Sequence, residues 1–202
     1  MRQANGYHGR RSVLIELSYP GQQQGAILVQ YNLNSPSSTP SGIWDVHARI
    51  GGFAGSNLQL TQCPTSPTVT MTSANVVKKC IAAFLSFHIT VSGSGLYMEN
   101  DWIWTADHDV EDPSLRQITV YTGRGFLDES KTGTVWMVGT SVEHFTLYQY
   151  QFANTKNVFA GQVSRTYPPI MQVPNLLLDT DRNTVLPTQS RRAHSLRVQC
   201  YV

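Results

Sequence analysis

The sequence is poor in charge: Asp, Glu, Lys and Arg make up 14% of its 202 residues, against about 25% in an average soluble domain. The formal net charge is +2 and no dense Lys/Arg run occurs. Phosphate backbones require clustered cations, so a nucleic-acid partner is excluded. No apolar run approaches the roughly 20 residues of a spanning helix, and no membrane partner is expected. The opening "MRQANGYHGRRSV" lacks the apolar core of a signal peptide, so the chain as written is read as carrying no export signal. Between the apolar runs that follow Gly25 there are no Asn-Gly or Asp-Gly pairs, which argues against a meander of tight hairpins. Cysteine is scarce, with only Cys63, Cys80 and Cys200. The first two bracket the loop "CPTSPTVTMTSANVVKKC". A Cys63–Cys80 disulfide closing it is the first reading, with two buried thiols as the alternative.

What is abundant is Gly, Ser, Thr, Asn, Tyr and Trp, a composition that suits an extracellular β protein. The length fits one domain, or a piece of a larger one. Residues 1–24 are weakly patterned and read as a ragged leader or an incomplete preceding element. From Gly25, short runs rich in Val, Ile, Phe, Tyr and Trp alternate with turn residues: "GAILVQYNL", "GIWDVHARIGG", "SGLYMENDWIWTADHD", "RQITVYTGRGFLDES", "GTVWMVGTSVEHFTLYQYQF". Only "ANVVKKCIAAFLSFHIT" could pass for a helix, and its β-branched end predicts a short helical turn leading into a strand. Stacked coils of a parallel β-helix fit this spacing best, and a β-sandwich stays open on pattern alone.

Two stretches carry candidate chemistry. "NDWIWTADHDVEDP" clusters Trp102, Trp104, Asp107, His108 and Asp109. Aromatic faces stack on sugar CH groups and carboxylates accept sugar hydroxyls, so this suits a carbohydrate cleft. A solvated acidic turn or a hard-cation site are the alternatives, although the acidic spacing is not that of an EF-hand. "SVEHFTLYQYQF" sets Glu143 beside His144, with Tyr148 and Tyr150 alternating. Strand neighbours point to opposite faces, so Glu143 and His144 are not expected to act as a dyad. His47 and His88 read as satisfied core histidines. No nucleophile triad, phosphate loop or zinc spacing is present.

Together, "GIWDVHARIGGFAGSNLQLTQCP", "GLYMENDWIWTADHD", "ITVYTGRGFLDES" and "GTSVEHFTLYQYQFANTKNVFAGQ" closely resemble the second half of fungal glycoside hydrolase family 55, the exo-β-1,3-glucanases. The resemblance covers about Gly25 to Gln162. It implies an all-β chain forming part of a right-handed, single-stranded parallel β-helix of the pectin lyase type, cut from a secreted enzyme with two such domains and its active site between them. Three segments follow: 1–24, a partial β-helix over 25–162, and a tail over 163–202.

The family releases glucose from β-1,3-glucan with inversion. Inversion needs an acid on the leaving oxygen and a second group on a water across the ring, with carboxyls roughly 6.5–9.5 Å apart. The resemblance gives Glu143 the water-positioning role. It places the general acid where this chain has Thr166, whose hydroxyl is far too weak an acid for the task. Trp102, Trp104, Asp107, Trp136 and Tyr148 are the expected substrate-binding set. No cofactor and no metal are implied, the expected partner is β-1,3-glucan, and a monomer is expected. The family is extracellular. A non-catalytic glycan-binding or structural β-helix is the alternative, and a pectate-lyase-like enzyme, hinted at by "DHDVED", a third.

Regular patterning stops abruptly at Gln162. Gln162-Val163-Ser164 can be encoded as CAG-GTA-AGT, an intron donor, and Leu178-Asp179 as CTA-GAT, containing an acceptor. Shifted by one base, the codons from Asp179 onward can read Ile-Gln-Thr-Glu-Thr-Pro-Tyr-Tyr, the family's acid motif. Val163 to about Leu178 is therefore expected to be a retained intron and Asp179 to Val202 an out-of-frame exon. On that reading the tail is disordered and Cys200 has no evolved partner.

Overall fold

The computed structural model describes residues 13–17, 26–65 and 75–166, with the backbone alone at 13–17, 165 and 166. Its described strands pair only in parallel and belong to three sheets. Each coil visits them in the same order. The first coil runs β2 (Ile27–Tyr31), β3 (Ser41–Trp44), β4 (Val46–Ile50). The second is β5 (Leu85–Ile89), β6 (Leu96–Glu99), β7 (Trp102–Thr105) and the third β8 (Arg124–Asp128), β9 (Val135–Val138), β10 (Ser141–Glu143). The fourth is β11 (Tyr148–Phe152), β12 (Val158–Gly161), β13 (Ser164–Thr166). Sheet one is β2-β5-β8-β11, sheet two β3-β6-β9-β12, and sheet three β1-β4-β7-β10-β13, where β1 is Val13–Leu17. This is the parallel β-helix read from the sequence.

The stacking buries like on like. In sheet one Val29, Phe87, Phe126 and Tyr150 are register partners, and the Phe87 and Phe126 rings stack at 5.4 Å. Sheet two contributes Leu96, Met98, Val135 and Met137, and sheet three Ala48, Ile103 and Val142, all buried. Such apolar burial, about 25 cal/mol per Å², holds together coils whose strand hydrogen bonds run to neighbouring coils.

Sheets two and three meet at a turn of one or two residues whose first residue is left-handed in every coil. Asp45, Asn100, Gly139 and Gln162 sit there in successive coils, with φ of 54°, 57°, 64° and 53°. Asn, Asp and Gly tolerate this left-handed conformation best. The amides climb from coil to coil: Asp45 N–H donates to Glu99 O (3.0 Å), Asn100 N–H to Val138 O (2.9 Å) and Gly139 N–H to Gly161 O (3.0 Å). The ladder fixes the phase of sheet three, and with it the site described below.

After the sheet-three strand, the chain makes excursions at 51–84 and 106–123 and returns almost directly at 144–147. The two long excursions pack together as a lobe, through bridges Pro64–Ile118 and Ile81–Tyr121, and the second is closed on itself by His108–Gln117. Cys63 and Cys80 form a disulfide within it, with Cα atoms 5.8 Å apart. The predicted helical turn is a 3-10 turn at Lys78–Cys80, followed by β5.

Two sequence-derived boundaries meet structure. Within 1–24, β1 pairs with β4 from Val13↔Val46 to Leu17↔Ile50. Past Gln162, where the sequence reading ends the β-helix, β13 pairs with β10 over Ser164–Thr166. Backbone pairing asks only for free amides and carbonyls, and Ser164 N–H finds Thr140 O at 3.0 Å. The remaining tail, including Cys200 and the proposed frameshifted exon, lies outside the described residues.

Candidate active site

The site grows from the outward face of sheet three. Alternation sends Ala48, Ile103 and Val142 into the core, so the residues flanking them face out. Register then makes two rows across the coils. One is His47, Trp102, Ser141, Ser164, and the other Arg49, Trp104, Glu143 and position 166.

The second row is tightly built. Trp104 stacks on Trp102 with centroids 4.4 Å apart and an interplanar angle of 11°. The Arg49 guanidinium lies over the Trp104 ring at 4.4 Å. Arg49 is itself buried and held by carbonyls: Nε donates to Gly51 O (3.0 Å), and Nη2 to Gly52 O (3.2 Å) and His108 O (2.9 Å). Gly52 is needed there, because at φ 74° a Cβ would stand 2.4 Å from His108 O and 2.8 Å from Arg49 Nη2. A buried cation bound to three carbonyls and stacked on an indole fastens the inserted lobe to the sheet.

Glu143 follows Trp104 in the row. It is half-buried, and Ser141 Oγ–H, two residues back on the same face, donates to its Oε1. Beneath it the Tyr150 hydroxyl sits between Thr140 O (2.9 Å) and Ser164 O (3.0 Å), bracing β10 against β13. Burial, reinforced by the Glu143 charge, raises the Tyr150 pKa and keeps its proton on. The next register partner of Glu143 is position 166, one strand spacing away, about 4.8 Å.

The lobe closes one end of the row. Asp107 Oδ1 meets His108 Nδ1 at 2.7 Å, and the His108 ring lies 5.5 Å from Trp104. His144 leaves the strand at φ 66°, and its Nδ1 contacts Thr105 O at 3.1 Å. Its ring is 6.3 Å from Trp104. His144 has left the extended strand, so alternation does not govern it, and its ring lies near Trp104, the register neighbour of Glu143. Among the described residues no group of three or more His, Cys, Asp or Glu side chains is gathered as a metal site.

Glu143, Trp102 and Trp104 therefore come together, with position 166 beside Glu143, and Asp107 reaches them only through His108. Three expectations need correction. Trp104 is only 4% exposed, because Trp102 and Arg49 cover it, so the ring left half-open for a ligand is Trp102. Trp136 stands on β9 in sheet two and Tyr148 on β11 in sheet one, and neither shares the Glu143 face. Tyr148 pairs in register with Arg124, and burial pushes its pKa up to about 12. His47 is not a core histidine but stands on the outer face, edge-on to Trp102 at 5.9 Å. His88 is buried as expected, with Nε2 2.8 Å from Glu129 Oε2. Arg49 and Ser141 escaped sequence reading. Their signal is the i, i+2 spacing to His47 and Glu143, which becomes meaningful only once the face is known.

No family model matches the chain. It is 39% identical over 183 residues to a protein named "Glucan 1,3-beta-glucosidase" from Cochliobolus carbonum, a match covering 88% of the chain and 22% of that protein. It is 42% identical over 165 residues to "Non-secreted LysM effector LysM15" from Penicillium expansum, covering 82% of the chain and 11% of that protein. A third relative, "Probable glucan endo-1,3-beta-glucosidase" from Arthroderma benhamiae, is 42% identical over 158 residues, with 78% and 17% covered. The chain spans less than a quarter of the length of each of these relatives. At such identity over most of its own length, it is related to proteins named as glucan 1,3-β-glucosidases.

Proposed function

We propose that this chain is a piece of a β-1,3-glucan hydrolase of glycoside hydrolase family 55, carrying the water-positioning half of its catalytic machinery on sheet three. The observation that carries the reading is the row Arg49, Trp104, Glu143, position 166. A carboxylate held by a serine hydroxyl stands in register with Trp104 of the stacked Trp102–Trp104 pair, directly beside the position to which the resemblance assigns the acid. The relatives' names support glucan as the substrate class. They differ on exo- against endo-action, so exo-acting release of glucose with inversion rests on the resemblance alone, as does an extracellular location.

In an inverting reaction Glu143 would hold a water against the anomeric carbon, while a proton donor on the other side of the sugar serves the leaving oxygen. Strand neighbours start about 4.8 Å apart, below the roughly 6.5–9.5 Å of inverting pairs. A glutamate at the position of Thr166 would reach that range only with its side chain splayed away from Glu143. With threonine there, no group of useful acidity stands at that register position. Purified chain incubated with soluble β-1,3-glucan is therefore expected to release no glucose above a buffer blank. Steady glucose release would overturn the assignment of the acid to position 166. Sequencing the transcript tests the cause: cDNA reading through codon 163 as the only form would sink the retained-intron account.

A second reading, a non-catalytic glycan-binding β-helix, is favoured by the same threonine. Retention on glucan without hydrolysis, weakened by Trp102→Ala, would support it.

A further inference from the structure

The outward face of sheet two carries a feature that glucan hydrolysis leaves unused. Register sets Gly42, Tyr97, Trp136 and Phe159 in one row across all four coils. Alternation adds Trp44 and Glu99 to the same face, two residues on. Leu96, Met98, Val135 and Met137, the intervening residues, are buried, so this row looks out. Its ends are open: Trp44 is 53% and Phe159 56% exposed. The Trp44 ring folds back over Gly42, with three ring carbons 1.8–2.4 Å from where a Cβ would stand. Only glycine lets the indole lie flat there, 6.1 Å from the Tyr97 ring. At the edge Tyr97 OH donates to Glu99 Oε2 at 3.2 Å. Four aromatic side chains in line on one exposed sheet face exceed the usual scatter of surface apolar residues.

We propose that this row is a second glycan-binding platform, separate from the Glu143 face, which takes one strand of an uncharged, hydroxyl-rich polysaccharide across the coils. Size and charge choose the occupant. The row spans three strand spacings, about 14 Å by about 7 Å, or on the order of 100 Å². A stable protein interface takes about 800 Å² per partner, so a second copy or a folded partner finds too little surface. A polysaccharide strand is narrow, offers CH faces to rings, and gives hydroxyls to the single carboxylate. Glu99 is the row's one charge and repels acidic polymers. That the polymer is β-1,3-glucan rests on the function proposed above. That it is a neutral glycan does not.

Affinity electrophoresis of the 202-residue chain tests both. Gels would contain soluble β-1,3-glucan, hydroxyethyl cellulose as a neutral β-1,4-glucan, or polygalacturonate as an acidic polymer. The chain should be retarded by a neutral glucan and not by polygalacturonate. The variant Trp44→Ala/Trp136→Ala should raise the apparent Kd at least tenfold, and Leu33→Ala, equally exposed but off the row, should leave it unchanged. Trp44→Phe, which keeps a ring, should fall between. Trp44→Ala alone should already weaken retardation, and an unchanged urea midpoint in that variant shows that the loss is not unfolding. Retardation by the β-1,4 polymer alone would uphold the platform and sink the β-1,3-glucan reading. Equal retardation of variant and parent, or none by either neutral glucan, would overturn the platform. So would sedimentation showing self-association that the double variant loses while its retardation stays the same, which would make the row a contact between copies.

Discussion

Asp101 concentrates the tension between burial and charge. It is 2% exposed and lies among Val29, Ile43, Phe87, Met98 and Ile103 in a cavity of about 300 Å³ in the first two coils. Its Oδ1 accepts Val46 N–H at 2.9 Å, while Oδ2 meets no partner among the described residues. Burial is the main force lifting its pKa from 3.8 to about 7; Asp45 and Glu99 add repulsion and the Val46 amide opposes them. A carboxyl raised in the folded state holds a proton that the unfolded chain has already lost. Its stabilising contribution is full below about pH 4 and is lost as pH rises to about 7, at up to about 1.4 kcal/mol per pH unit. Asp101→Asn keeps the acceptor for Val46 and has nothing to ionise, so urea midpoints of this variant should vary less between pH 5 and pH 8 than the parent's. An equal pH slope in both proteins would show that another group carries the dependence.

Disulfide and turn ladder show what elements could and could not announce. The Cys63–Cys80 bridge closes a loop with sequence separation 17, for which chain entropy gives about 3 kcal/mol. Cys63→Ser/Cys80→Ser should lower stability by that order in urea melts, with peptides from 58–63 and 76–83 gaining hydrogen exchange first. A loss shared evenly by all coils would mean that the lobe is no separate unit. The strand runs were legible because Val, Ile, Trp and Tyr clusters stand out in a chain poor in charge. The division of each run was not. "GIWDVHARIGG" and "GLYMENDWIWTADHD" each read as one run, yet each holds two strands on two sheets, split at Asp45 and Asn100. A turn with one left-handed residue leaves no Gly-Pro punctuation; an Asp or Asn inside an apolar run is its only trace. That hidden corner, at Gly139, sets Trp136 on sheet two, away from Glu143, while the separate return at 144–147 sets Tyr148 on sheet one. Spacing along a strand fixes a face, but only the corner says which sheet.

At the scale of the whole stack, each coil contacts only its neighbours, so stability should vary along the axis rather than vanish at once. The middle coils are closed on both sides: Phe126, Val135 and Met137 are fully buried. The fourth coil has one neighbour among the described residues. Phe152 is 44% exposed and all of β12 is half-buried or open. Hydrogen exchange should therefore be slowest in β5–β7 and β8–β9, and faster in β11 and β12 despite similar parallel pairing. Tyr150 adds a side-chain tie across this gradient, since its hydroxyl lies against Thr140 O on one coil and Ser164 O on the next. Tyr150→Phe keeps the ring in the Phe126 stack and removes only the tie. A net hydrogen bond of about 1 kcal/mol predicts roughly fivefold faster exchange at the Ser164 amide, with β5–β7 unchanged. The consequence reaches function, because the three-residue pairing of β13 is what places position 166 beside Glu143. Uniform exchange in all four coils, or an acceleration by Tyr150→Phe that spreads to β5, would show a single cooperative unit and refute the graded stack.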